Sequence, residues 1–114
     1  MGDGGNVAGR IARGEVRFYS FLAPDKNGPV VILTRQVAIV HLSTVMIAPI
    51  ASTIRGVPSE VALNEDDGMK GPCAVNLHNI TVVSQERLGK RVASLSERRM
   101  AEICAALRFS VGCD

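Results

Sequence analysis

A chain of 114 residues fits one domain and leaves little room for a second. Apolar residues make up 46% of it, which excludes a disordered chain, and with 4% aromatics and no Trp the core must come from Val, Ile, Leu, Ala and Met. A net charge of +2 permits nucleic-acid binding without arguing for it.

Residues 1–12 (MGDGGNVAGRIA) are rich in glycine and offer little to bury, so the entropy cost of ordering them predicts a flexible N-terminal tail ahead of a folded domain at 13–114. Val16 to Phe21 predicts a strand with Val16 and Phe18 on one face, Tyr19 and Phe21 on the other. Residues 23–28 (APDKNG) are turn formers that break the chain. Residues 29–34 (PVVILT) form a continuous β-branched run, the pattern of a strand buried on both faces, with Pro29 at its first position. Residues 35–43 carry no clear pattern. Residues 44–50 (TVMIAPI) predict a third strand ending near Pro49, and Arg55-Gly56-Val57-Pro58 a turn. Short strands are expected at 60–63, 73–76 and 80–83, with a turn at 65–68 and a last strand near 91–93.

Met100, Ile103, Cys104, Leu107 and Val111 recur at helical spacing and predict an amphipathic C-terminal helix ended by Gly112. Ser94 and Glu97 make a capping-box pattern, with Ser96 a rival cap. The whole reads as an α+β, mainly β domain whose sheet edges favour dimerisation. Cys73, Cys104 and Cys113 are odd in number and far apart. Without a CxxC or Cys/His cluster they signal neither a metal site nor a disulfide framework, and buried reduced thiols are expected. The apolar runs are too short to span a bilayer and no signal peptide is visible. No membrane partner and a cytoplasmic location are expected.

Several segments together resemble the MazF/PemK/Kid ribonuclease toxins, in the flavour of their actinobacterial branch. Arg13-Gly14-Glu15-Val16 is similar to the family's R-G-[DE]-[VI] opening. Residues 28–35 (GPVVILTR) are similar to its R-P-V-[LV]-V-[LI]-[ST]-R strand. The stretch from Val45 through Thr53-Ile54-Arg55-Gly56 to Ser59-Glu60-Val61, the segment Ala74-Val75-Asn76-Leu77-His78-Asn79-Ile80, and Arg87-Leu88-Gly89 follow in the family's order. The resemblance implies an SH3-like barrel of the MazF/CcdB/Kid toxin fold with a C-terminal helix. It implies a homodimer with single-stranded RNA bound along its interface, and a cognate antitoxin whose acidic C-terminal segment occupies that groove. It also implies the toxin of a type II toxin–antitoxin system, a sequence-specific mRNA interferase needing no cofactor. In such cleavage the ribose 2′-OH attacks the adjacent phosphate and leaves 2′,3′-cyclic phosphate and 5′-OH ends.

That chemistry needs a base for the 2′ proton, donors for the phosphorane charge and an acid for the leaving oxygen. The family supplies an Arg before the strand-two Pro and a Thr at the end of strand three. Here those catalytic positions are Gly28 and Ala51. Losing one such group typically costs roughly 10²–10³ in rate. Three explanations stand open: a natural pseudo-toxin, a deliberately inactivated variant, or chemistry relocated to Lys26 for the cation and Ser52 or Thr53 for the hydroxyl. His78 and Asn79 stand where the family has an acid followed by an amide. His78 is therefore a candidate acid or base, and Asn79 a reader of base edges. Lys26, Thr53, Arg55 and Asn79 are the expected RNA contacts. Each has a plainer reading: a solvated lysine, turn chemistry, or a structural histidine. The leading function is an endoribonuclease toxin. The alternatives are a catalytically dead RNA- or antitoxin-binding module and, ranked low for want of a terminal Trp-Gly-Ile, a CcdB-like gyrase poison.

Overall fold

The run at 29–34, with apolar side chains on both faces, becomes the middle of the molecule. A computed structural model of the chain describes residues 11–20 and 27–113. In it β2 (Asn27–Ile32) lies between β1 (Glu15–Ser20) and β3 (Thr44–Ala51). The sheet is completed by β4 (Glu60–Leu63), β5 (Cys73–Asn76), β6 (Thr81–Ser84) and β7 (Leu88–Ser94) in the order β4-β5-β3-β2-β1-β7, and β6 also pairs with β3. Every pairing is antiparallel. A four-residue helix, α1 (Gln36–Ile39), follows β2, and α2 (Glu97–Val111) ends the fold.

Alternation along β2 feeds two cores. Val31 and Leu33 join Val16, Ala48, Ile50, Leu63, Val75 and Ile103 on one side. Val30 and Ile32 join Ile11, Tyr19, Ile39, Val45, Ile47 and Val83 on the other. The first core is closed by α2, whose Ile103 and Ala106 are buried.

The resembling Arg13-Gly14-Glu15 is a structural hub. Arg13 donates to the Leu33 carbonyl and, at 3.2 Å, to Cys104 Sγ. Gly14 (φ +90°) donates to Ile32 O and accepts from Leu95 N–H, each at 2.9 Å. Buried Glu15 accepts from Ala12 N–H at 3.1 Å and pairs with Arg17 at 2.9 Å.

Several expectations shift. Ile11, assigned to the tail, is buried in the second core, whereas residues 1–10 and Phe21 lie outside the described residues. Phe18 shares the face of buried Val16, as expected, but is 47% exposed because it borders an open hollow on that side. β2 begins at Asn27, so Pro29 is its third residue, not its first. The β2–β3 ladder starts only at Val30, which leaves Pro29 where no bond to β3 is required. The unpatterned 35–43 segment holds α1, and β7 runs longer than 91–93. The cap of α2 is Ser96, whose Oγ accepts from Arg99 N–H at 3.1 Å; Ser94 is the last residue of β7. Val111 lies outside the core and Cys113 is exposed, unlike buried Cys73.

Candidate functional site

The β2–β3 register pairs Val30 with Pro49. The ladder ends there: two residues beyond it Gly28 pairs with Tyr19 of β1, and Ala51 pairs with Ala74 of β5. The two family positions, 23 residues apart in sequence, thus both lie just past the same end of the β2–β3 ladder. Beside them lies a hollow of about 600 Å³. Pro29, Ile50, Ala51 and Ser52 form one wall, Phe18 and Val92 another, and the 69–73 segment before β5 a third. Lys70 is the one charged side chain among these lining residues. A Cβ placed at Gly28 meets nothing within 4 Å, so the position is open.

The third wall is built by a tight β4–β5 connection. Asn64 caps the 3₁₀ turn Glu65–Asp67 in a reciprocal capping box, and Gly68 follows at φ +93°. A Cβ at Gly68 would sit 2.9 Å from that of Ala93, so only glycine lets the loop approach β7. This turns Met69 and Lys70 toward the hollow. Arg99 of α2 locks the loop with a 2.9 Å bond to Asp67 Oδ1 and a 3.0 Å bond to Glu102. Burial raises the Asp67 carboxyl, but the Arg99 and Asn64 N–H bonds and the Arg99 charge outweigh it and hold it below 3.8. Burial, with the Asp67 charge, pushes the Cys73 thiol up, so the sulfur in the hollow stays protonated and is no nucleophile.

A second cluster lies at the other end of β5. Ala51 pairs with Ala74, and His78 is four residues further on, in the turn that follows β5. There Glu60 Oε1 accepts Arg55 N–H at 2.9 Å and Gly56 N–H at 3.0 Å, which holds the loop turned with Gly56 at φ +73°. Ser59 Oγ is 2.6 Å from His78 Nδ1, and Asn76 Oδ1 accepts His78 N–H at 3.1 Å. Arg55, His78 and Asn79 are exposed beside this frame, and the Arg55 guanidinium makes no ion pair among the described residues.

A profile of the PemK-like, MazF-like toxins of type II toxin–antitoxin systems matches residues 12–111. The chain belongs to this family. It is 41% identical to the probable endoribonuclease MazF5 of Mycobacterium tuberculosis over 103 residues, covering 90% of this chain and 94% of that protein. It is 32% identical to the probable endoribonuclease MazF2 of the same species, covering 90% of this chain and 100% of that protein. Among solved structures, the M. tuberculosis toxin MazF-mt6 superposes with a TM-score of 0.80 at 29% identity, covering 88% of this chain and 98% of that one. A mycobacterial endoribonuclease in complex with its cognate antitoxin superposes with a TM-score of 0.82 at 24% identity, covering 91% and 97%. The expected mainly β fold of this family, with its C-terminal helix, is the fold observed.

Within this MazF-family frame the candidates divide. Ala51 and Ser52 line the hollow and Gly28 precedes its lining residue Pro29, whereas Arg55, His78 and Asn79 gather past the far end of β5. Thr53 is exposed between them and is not among the residues lining the hollow. Lys26 lies outside the described residues. Three residues escaped the sequence reading: Lys70, Ser59 and Asn76. Asn76 and Ser59 stand inside quoted motifs, where their polarity in apolar strand ends was the available signal. Lys70 gave none. Among the described residues no three His, Cys, Asp or Glu side chains come together as metal ligands, and no helix is long and apolar enough to cross a membrane.

Proposed function

We propose that this MazF-family chain is an endoribonuclease toxin of the cytoplasm that cuts single-stranded RNA by attack of the ribose 2′-OH on the adjacent phosphate. The observation that supports the reading is the hollow lined by Ala51, the family's Thr position, which also presents Ser52 and Lys70. Lys70 supplies the positive charge for the phosphorane oxygens, and Ser52 a hydroxyl donor. Phe18, half exposed in the lining of the same hollow, offers a face on which an unstacked base can lie. Their place past the other end of β5 from Ala51 supports a role for Arg55, His78 and Asn79 as contacts to flanking nucleotides instead of partners in bond cleavage. An antitoxin with an acidic segment would compete for Lys70 and Arg55, the exposed cations of the two clusters. A second copy of the chain joins along β4 and the end of α2.

The test is incubation with a long single-stranded RNA in EDTA, followed by mapping of 5′-OH ends. Defined cuts that disappear in Lys70→Ala support the proposal; uncut RNA overturns it for this chain. One observation favours a second reading, a catalytically dead module that binds RNA or antitoxin: neither Gly28 nor Ala51 brings a functional group. On that reading wild type does not cut, and the pair Gly28→Arg with Ala51→Thr does. The open space at Gly28 admits the longer side chain.

A further inference from the structure

We infer that Ser59 is a positioning residue that fixes the neutral His78 ring as its Nε2–H tautomer, so that His78 meets RNA as a hydrogen-bond donor and not as the base of the cleavage step. The inference rests on the RNA reading of this cluster.

Ser59 is 8% exposed, and its Oγ lies 2.6 Å from His78 Nδ1. Among the described residues that hydroxyl has no other partner, so its proton goes to Nδ1, which must then present its lone pair. A neutral imidazole with Nδ1 as acceptor carries its hydrogen on Nε2. Nε2 has no protein partner among the described residues and His78 is exposed, so a ligand can reach it.

The ring is held from the backbone side as well. Ser59 C=O accepts Leu77 N–H at 2.9 Å, and buried Asn76 accepts His78 N–H through Oδ1 at 3.1 Å. The residue that supplies the hydroxyl thus also anchors the turn carrying the ring. The charged groups on the elements around this turn are Glu60 of β4 and Arg55 of the loop before it. Glu60 Oε1 is committed to the N–H groups of Arg55 and Gly56. A carboxylate at Nδ1 would hold the opposite tautomer and leave Nε2 basic, as in a hydrolase triad; a hydroxyl with nowhere else to donate does the reverse. When the ring gains a proton, Nδ1–H donates back to Oγ and Nε2–H stays, so the outward donor survives in both charge states.

The experiment is long-range ¹⁵N–¹H NMR of the His78 ring in the full chain, with affinity for a rhodamine-labelled mixed-sequence single-stranded RNA. The wild-type neutral ring should show Nδ1 unprotonated and Nε2 protonated, measured without any substitution. His78→Ala should weaken RNA binding roughly tenfold, about what one net hydrogen bond is worth in an equilibrium constant. Ser59→Ala should weaken binding by a comparable factor and turn the fixed ring signals into averaged ones; Ser59→Thr, which keeps the hydroxyl, should restore both. A neutral ring protonated on Nδ1, or Ser59→Ala leaving ring signals and affinity unchanged, overturns the inference while the RNA reading stands. Unchanged affinity in His78→Ala overturns that RNA reading itself, whatever the tautomer.

Discussion

At Gly28 the backbone is bare and the space beside it open, so charge for an RNA phosphate must come from elsewhere around the hollow. Lys70 is the lining cation. Lys70→Ala should lower the cleavage rate about 10²-fold, the usual effect of losing one donor to a developing charge, and Lys70→Arg should keep most of it; single-turnover rates on a defined RNA decide. This residue was invisible in the sequence. It follows a turn after β4, and only the close approach of Gly68 to Ala93 carries it to the end of β3. Gly28 and Ala51 were legible because a family pattern marks their positions, and the β2–β3 ladder leaves both just past its same end. Gly14 belongs to the same scale. Its φ of +90° is left-handed, and a Cβ there would meet Met100 Sδ at 3.4 Å. Gly14→Ala should therefore cost about 1–3 kcal/mol, read by denaturant unfolding as a lower midpoint at unchanged slope.

At the scale of elements, the β4–β5 connection and α2 are joined through Asp67 and Arg99, whose side chains are only 8% and 15% exposed. The Asp67 pKa is lower folded than unfolded, so the pair contributes stability above the ordinary carboxylate range. That contribution is lost as pH falls below about 3.8 through the depressed folded value. Asp67→Asn should then destabilise by about 2 kcal/mol at neutral pH, and its difference from wild type should shrink in strong acid. Thermal unfolding at both pH values checks the sign. Removing the α2 cap with Ser96→Ala should cost about 1 kcal/mol, whereas Ser94→Ala should not remove it. The sequence pattern admitted both serines. Ser94 pairs with Glu15 in the β1–β7 ladder, which leaves Ser96 free to turn its hydroxyl to Arg99 N–H. The strands at 60–63 and 73–76 were readable to the residue because turn formers bracket them. α1 was not, since four residues are too few to show a period.

At the scale of the whole molecule, β4 ends the strand order and among the described residues pairs only with β5, so no described strand satisfies its outer edge. A groove of about 500 Å³ runs between β4 and α2, lined by Val61, Ala62, Ala105 and Phe109. Its lining residue Phe109 is 50% exposed, and Val111, which ends α2, is 60% exposed. Two such surfaces related by a two-fold axis would cover each other's apolar residues and bring two copies of the Arg55–His78 cluster to one seam, because Glu60 belongs to both the groove and the cluster. Phe109→Glu would bury a charge against its own counterpart at that seam. Since Phe109 is half exposed in the single chain, the substitution should leave the fold intact. Light scattering on eluting protein should then show wild type at twice the chain mass and Phe109→Glu at the chain mass, with far-ultraviolet circular dichroism unchanged. If RNA crosses the seam, the monomeric variant should also release the phosphates held by one cluster, and its affinity should fall less steeply with salt. For single strands the logarithmic slope changes by about 0.7 for each phosphate that is no longer neutralised. Wild type at the chain mass would remove the basis for this arrangement, and the two clusters would then have to serve RNA from within one chain.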